Sequence, residues 1–455
     1  MKFLDFLKPK LSRTANTRTM ATLEDDMMID SSDEYWDEDD IFDSEDSEDI
    51  SVAIKPQSGG LSSFAEYDLR TAAYKKGGNK ASEFPADIIM RVNMQIKDVA
   101  KRDVLPFLPA KSLMKFRAVS KEWNQWIASP LFAYNQSFTF QKLSGYFYQR
   151  LDFQGDPPTF LSLHRSANGV PSPDLGFLPD KVKVVSSSSG LLLCQGLKDS
   201  YYVCNPATKD WKKLPPPQYY HGSDPAAVLA FDPQFNIESF YHVVAAVPLL
   251  DHPIVCFEVY DSESDSWRCS PSDCLELENI TSLAGGGSYM KGVAYWNTSS
   301  NEVLAFNVKN EIPAVLRVPV IQSEQHGGAL TQIGDEVCYV TAYNDSGNVF
   351  VIDIYGGVDM SLKRSVSVNL GSKKPRTLVS KSWWIPPKEE SFTCEVLPCT
   401  DSDTVVIHTD EAIYFYHLRA QTVETLGSPG RVDTPQRFLP YINSLVMAHD
   451  LEKKK

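Results

Sequence analysis

The sequence contains no apolar run near the roughly 18–20 residues a membrane-spanning helix requires, so no membrane partner is expected and the chain reads as soluble. It also has no apolar core of a secretory leader. Residues 1–20 instead mix Ser and Thr with Lys2, Lys8, Lys10, Arg13 and Arg18. That stretch reads as a disordered leader, with Met20 as a second start, or as a weak organelle-targeting signal. Cys-x-x-Cys pairs are missing as well. The eight cysteines stand at 194, 204, 256, 269, 274, 338, 394 and 399, several within apolar runs. Without a leader they read as reduced, mostly buried thiols of a cytoplasmic or nuclear protein, with no zinc site.

Catalytic signatures are missing too. There is no His-Glu-x-x-His, no phosphate-binding loop and no Gly-x-Ser-x-Gly; the serines at 186–189 form a run before a strand. The eight histidines show no ligand spacing. No catalytic residue, metal or cofactor is expected, and the chain reads as a non-enzyme. Charge of one sign is absent from a single stretch. Residues 24–49 hold fifteen Asp or Glu and no Lys or Arg, and outside them 44 acidic residues face 44 basic ones. The net charge of −15 therefore belongs to a tail. The balanced remainder offers no basic face, so no nucleic-acid partner is expected. Residues 1–80 read as disordered, being acidic, Ser/Gly-rich and poor in apolar surface. Ser44 and Ser47, set among acids, are simply solvated or are sites for an acid-directed kinase.

Order is expected from Phe84. Pro85 followed by Ile88, Ile89 and Val92 at helical spacing predicts a first helix. A second is predicted over 96–105, limited by Pro106. Beyond it, apolar residues at 113, 116, 119, 123 and 126 draw one buried stripe on a third helix, which Ser129-Pro130 would close. Residues 84–132 thus form a small helical unit. After Phe138, short runs rich in Val, Tyr, Phe and Ile alternate with Gly, Pro, Asn and Asp, which predicts strands and turns.

A loose repeat runs through the strands. One copy ends its apolar run at Asn205 and resumes at Trp211; another ends at Asp261 and resumes at Trp267. Weaker copies cover 303–308, 349–354 and 413–418. The first two copies each read as a hairpin whose Trp packs between neighbouring sheets. The anchors at 205, 261, 307 and 353 repeat at a period near 50, that of kelch-type blades of four strands. Residues 138–450 then make a propeller of about six blades, with five or seven as alternatives. The other reading is a non-repetitive pair of β-sandwiches.

The run from Leu108 to Trp123 (Leu-Pro-Ala-Lys-Ser-Leu-Met-Lys-Phe-Arg-Ala-Val-Ser-Lys-Glu-Trp) resembles the second half of a plant F-box. Ser189-Gly190-Leu191-Leu192, Tyr202-Val203-Cys204-Asn205-Pro206-Ala207-Thr208-Lys209, Leu229-Ala230-Phe231-Asp232-Pro233 and Tyr441-Ile442-Asn443-Ser444-Leu445-Val446 resemble the F-box-associated, kelch-like region of the same plant proteins. The first half of the F-box departs from the pattern. Its best match, at 84–89, lies twelve residues too early, which implies an insertion at 93–103, and Pro106 falls where the first helix should run. The fold implied is α+β multidomain: a short all-α F-box unit at 84–132, then an all-β kelch-type propeller, behind a disordered tail.

By that resemblance the chain is the substrate-recognition subunit of an SCF-type cullin–RING ubiquitin ligase. Pro85, Ile88, Leu108, Pro109, Leu113, Val119 and Trp123 would bind a Skp-type adaptor, and through it a cullin, by helix-in-groove contacts. Leu113, Phe116 and Trp123 have a second reading, holding the helical unit together. The propeller would grip a protein substrate that the sequence does not identify. Loops with His221, His252 and His326, or with Gly285-Gly286-Gly287, are candidates for the grip or plain turn residues. The alternative function is a propeller binding scaffold whose divergent F-box no longer engages the adaptor.

Overall fold

The computed structural model describes residues 96–150, 155–163, 170–233, 240–249, 254–277, 283, 285–298, 302–318, 326–346, 349–357, 359–370, 394–409, 412–427 and 436–448. By contacts the chain divides into residues 14–99 and the rest; of the former only 96–99, the start of a helix, is described. Pro85, Ile88 and His252 lie outside the described residues, as do the acidic tail and positions 93–95 of the expected insertion.

Four helices come first: α1 (Ile96–Asp103), α2 (Ala110–Phe116), α3 (Lys121–Ile127) and α4 (Pro130–Thr139), with a 3-10 turn at Leu105–Phe107. The expected helix over 96–105 ends at Asp103. Pro106 has no N–H to donate to the Arg102 carbonyl and its ring would crowd that carbonyl, so the α-helix stops and the chain passes into the 3-10 turn. The single stripe over 113–126 is instead two helices. Ser120 is extended, and its side chain caps α3 by accepting from the Trp123 amide at 3.2 Å. Ser129-Pro130 opens a helix rather than closing one. The Ser129 hydroxyl accepts from the Phe132 amide, and Pro130 occupies the first turn, where its missing N–H costs nothing. The helical unit therefore runs on to Thr139, past the expected limit at 132.

The strands follow as β1 (Gly145–Arg150) and β2 (Thr159–Ser162); β3 (Val182–Ser188), β4 (Leu191–Gly196), β5 (Tyr201–Asn205) and β6 (Asp210–Lys213); β7 (Ala227–Ala230), β8 (His242–Leu249), β9 (Ile254–Asp261) and β10 (Ser266–Cys269). Next come β11 (Ser288–Met290), β12 (Val293–Asn297), β13 (Glu302–Asn307) and β14 (Ile312–Arg317), then the short β15 (His326–Gly327). The last are β16 (Ala329–Ile333), β17 (Glu336–Ser346), β18 (Val349–Gly356) and β19 (Ser361–Asn369); β20 (Cys394–Leu397), β21 (Thr404–Thr409), β22 (Ala412–His417) and β23 (Thr422–Gly427); and β24 (Gln436–Tyr441).

These strands form six sheets, the six blades of a propeller. Five are up-and-down sheets of consecutive strands, one of them extended by β15 pairing parallel to β20. The sixth joins both ends of the propeller: β24 pairs antiparallel with β1, from Gly145 against Tyr441 to Arg150 against Gln436. Six apolar cores fill the six gaps between neighbouring blades. The core between β3–β6 and β7–β10 takes Leu191, Leu193, Val243 and Ala245, whereas Leu192 and Cys194 face back toward β1 and β24. Both faces of a blade are thus buried. That is why the strands read as continuous apolar runs rather than as alternating ones.

The repeat is more regular in backbone than in residue identity. Lys209, Asp265, Glu311, Met360 and Gln421 each have φ between 47° and 58°, and each immediately precedes the fourth strand of its blade. Asn205, Asp261 and Asn307 end the third strands of their blades, as the anchor spacing requires. Asp353 does not, because β18 continues to Gly356. Trp267 packs in the core between two blades, with its indole N–H donating to the Pro215 carbonyl at 2.8 Å. Trp211 instead lies over Tyr202 and is 38% exposed. The first three serines of the run, Ser186 to Ser188, end β3. There the Ser186 hydroxyl accepts from the Leu229 amide, and Ser188 donates to the Phe231 carbonyl at 2.7 Å, linking two innermost strands.

Candidate functional site

The helical unit has a core of its own. Leu105, Ala110, Leu113, Ile127, Phe132 and Ala133 are buried together, with Leu108, Trp123 and Trp126 packed at the edge. Of the residues expected to bind an adaptor, Leu113 is therefore wholly inside, and Leu108 and Pro109 are half-buried. Trp123 is also half-buried, its ring 5.9 Å from that of Phe116. Val119 alone among the described members is well exposed, at 62%. It sits in the turn between α2 and α3, just beyond Met114 and Phe116 in the last turn of α2, both at 36%. The turn itself is tied down by Arg117, whose Nε donates to Asn124 Oδ1 at 2.8 Å. The arrangement presents a small apolar knuckle held by a rigid base.

Ala207 and Leu445, from the propeller, complete the same core. Polar contacts reinforce the joint. The Gln136 side chain, fully buried on α4, accepts from the Leu445 amide at 3.0 Å and donates to the carbonyls of Leu108 (3.1 Å) and Asn443 (3.3 Å). Asn205, also fully buried, donates to the carbonyls of Ser444 (2.8 Å) and Val446 (2.7 Å). Its Oδ1 accepts from the Ala207 amide and the Tyr441 hydroxyl. Ser189 and Gly190 form the two-residue β3–β4 turn with φ of 44° and 94°, the type I′ geometry, and Ser444 donates to the Ser189 carbonyl. A Cβ on Gly190 would fall 1.9 Å from the Ser444 hydroxyl, so only glycine permits this approach. Three sequence motifs far apart in the chain thus meet as one clasp beneath the helical unit. Sequence reasoning missed Gln136; the signal was a polar residue in the otherwise apolar stripe of α4 beside Phe132 and Ala133.

The expected grip residues fare differently. His221 does not line an open loop: its side chain is 3% exposed, with Nε2 2.9 Å from Glu258 and Nδ1 2.9 Å from the Tyr201 hydroxyl. Burial pushes the Glu258 carboxyl up, but hydrogen bonds from His221 and from the Gln218 and Tyr219 amides outweigh that and hold it below its usual range. This network straps the 215–222 segment to β9 and leaves Tyr219 and Tyr220 exposed on it. Gly285, Gly286 and Gly287 are close-approach residues. A Cβ on each would strike, in turn, the Arg437 guanidinium, the Val185 carbonyl and the Tyr295 carbonyl. His326 lies in β15. Among the described residues no group of three His, Cys, Asp or Glu converges as a metal site would require, and no helix is long and apolar enough to cross a membrane.

Comparison with known proteins gives this architecture its place. Residues 162–447 match the F-box associated beta propeller domain family. An F-box protein of Arabidopsis thaliana is 23% identical over 73% of this chain and 83% of its own length. A second is 27% identical over 53% of this chain and 66% of its own length. An F-box/kelch-repeat protein of the same plant is 22% identical over 68% and 85%. Among solved structures, one chain of a mitotic checkpoint complex aligns over 62% of this chain and 76% of its own length with 14% identity and a TM-score of 0.32. On the family match and its described propeller, the chain belongs to the plant F-box proteins with an F-box-associated β-propeller domain.

Proposed function

We propose that the chain is the substrate-recognition subunit of an SCF-type cullin–RING ubiquitin ligase. The helical unit binds a Skp-type adaptor, the adaptor binds a cullin, and the propeller holds a protein for ubiquitination. Membership of the F-box-associated family supports the reading. The observation that carries it is the joint at Gln136, which fixes a helical unit with an uncovered apolar knuckle to the propeller through a buried polar contact. A receptor of this kind catalyses nothing. It raises the local concentration of a target's lysines near the ubiquitin-charged enzyme, which requires a fixed span between adaptor and target. The cytoplasm and nucleus are the compartments where such a ligase would meet its targets.

The test is co-purification from plant cells of the tagged full chain. Wild type should recover a Skp-type adaptor and a cullin, and Val119→Glu combined with Phe116→Glu should lose both while retaining the fold. Failure of the wild type to recover the adaptor would overturn the ligase reading and leave a propeller binding scaffold.

A further inference from the structure

Four blades converge on one polar cluster at the propeller's axis. Lys183 is the second residue of the innermost strand β3, Arg437 the second of the innermost strand β24, and Asp224 lies just ahead of β7; Gly285, ahead of β11, donates its amide to the Asp224 carbonyl at 3.0 Å. Arg437 grips the Asp224 carboxylate with both ends of its fork, at 3.0 and 2.8 Å. Lys183 pairs with the same carboxylate and donates to the Ser223 carbonyl at 3.1 Å. The Lys183 side chain is 3% exposed and that of Arg437 14%, whereas Asp224 is 30% exposed and opens the cluster to solvent.

A clasp that only held β24 in place would need one cation and one carboxylate. Here two buried cations share one, which leaves a unit of positive charge that burial makes costly. Burial pushes the Lys183 ammonium below its usual range, and the neighbouring Arg437 charge adds to this against the pull of Asp224. The cluster also lies on the face away from the helical unit. Ser189 and Ser444, which form its clasp, follow the opposite ends of β3 and β24, and Ala207, which meets the unit, lies in the β5–β6 turn on that same side. The loops beside the cluster carry exposed Leu197, Tyr219, Tyr220 and Leu275.

We infer that this face binds an acidic segment of the protein target, one Asp or Glu carboxylate of which completes the charge balance at Lys183 and Arg437. Charge complementarity names the occupant. The surplus is a single positive charge, and the Arg437 fork is already occupied by Asp224, which suits a monoanionic carboxylate better than a phosphate. Calling the bound segment a substrate rests on the receptor role proposed above; the binding itself does not.

The probe is a fluorescein-labelled Glu-rich peptide, compared with its Gln-substituted twin and a phosphoserine twin, by fluorescence anisotropy on the full chain at low salt. Wild type should bind the Glu peptide about tenfold tighter than the Gln peptide. Lys183→Met should erase that preference with the melting temperature unchanged or raised, and Asp224→Asn, which adds to the surplus, should tighten it several-fold. A wild type indifferent to Glu against Gln, a preference that survives Lys183→Met, or tighter binding of the phosphoserine peptide would overturn the inference. No adaptor or cullin is present, so this result and the co-purification above can fail independently.

Discussion

The amide of Leu445 donates to Gln136 Oε1 at 3.0 Å across 309 residues of chain. One contact thus joins the last helix of the N-terminal unit to the segment that follows the propeller's closing strand. The same side chain satisfies the Leu108 carbonyl beside α2. Two modules that the sequence presents as consecutive are in this way fixed by a residue belonging to neither motif.

Gln136→Ala should expose that dependence. It takes away the acceptor of the buried Leu445 amide and one donor each from the Asn443 and Leu108 carbonyls, so a loss of roughly 1–3 kcal/mol is expected. Urea denaturation gives the magnitude. Limited proteolysis should cut between the helical unit and the propeller sooner in the variant, and equal cutting rates would argue against a fixed joint.

Leu113→Ala and Val119→Glu should behave oppositely. Leu113 is wholly buried, so its truncation should cost ~2–5 kcal/mol in the helical unit. Val119 is 62% exposed, and its substitution should change stability by no more than about 0.5 kcal/mol. Loss of an adaptor on changing Leu113 would therefore report unfolding, whereas loss on changing Val119 would report contact. Thermal melts run beside the co-purification separate the two.

Stability should fall in acid through Glu258. Its carboxyl is held below the reference value of 4.5 in the folded protein, so its contribution is complete above that pH. It is lost as pH drops below 4.5 through the lower folded-state value. Glu258→Gln should lower stability at neutral pH and flatten the acid limb of the curve. Urea midpoints measured from neutral pH down to about pH 3 give the comparison; an unchanged acid slope would assign the limb to other carboxylates.

Relief of left-handed backbone should stabilise the protein. Gln421 is exposed and sits at φ 54° just before β23. Gln421→Gly removes a steric cost of about 1–2 kcal/mol and gives back part of it in chain entropy, for a net gain near ~0.5 kcal/mol. The melting temperature should rise by about 1–2 °C. Gln421→Ala, which keeps the Cβ, should not raise it.

Much of the architecture is legible in the sequence. Apolar runs punctuated by turn residues gave the strands, their period near 50 gave about six blades, and the Leu108–Trp123 and Tyr202–Lys209 motifs led to the family. Local patterns carry such information because each blade buries both faces by its own composition. They are weaker on where elements stop. One stripe over 113–126 satisfied helical spacing although Ser120 breaks it in two, and Ser129-Pro130 looked like an end when its capping geometry makes it a beginning.

What only the tertiary structure decided is which residues face outward and which meet. Nothing local says that Leu113 turns inward while Val119 stays out, or that His221 is sealed against Glu258 rather than offered to a partner. The ring must close before β24 can pair with β1, before Asn205 and Gln136 can reach the chain at 443–446, and before Lys183 and Arg437 can share Asp224. Those contacts join residues as far as 309 positions apart, and hydrophobic periodicity, which reports only on near neighbours along the chain, has no term for them.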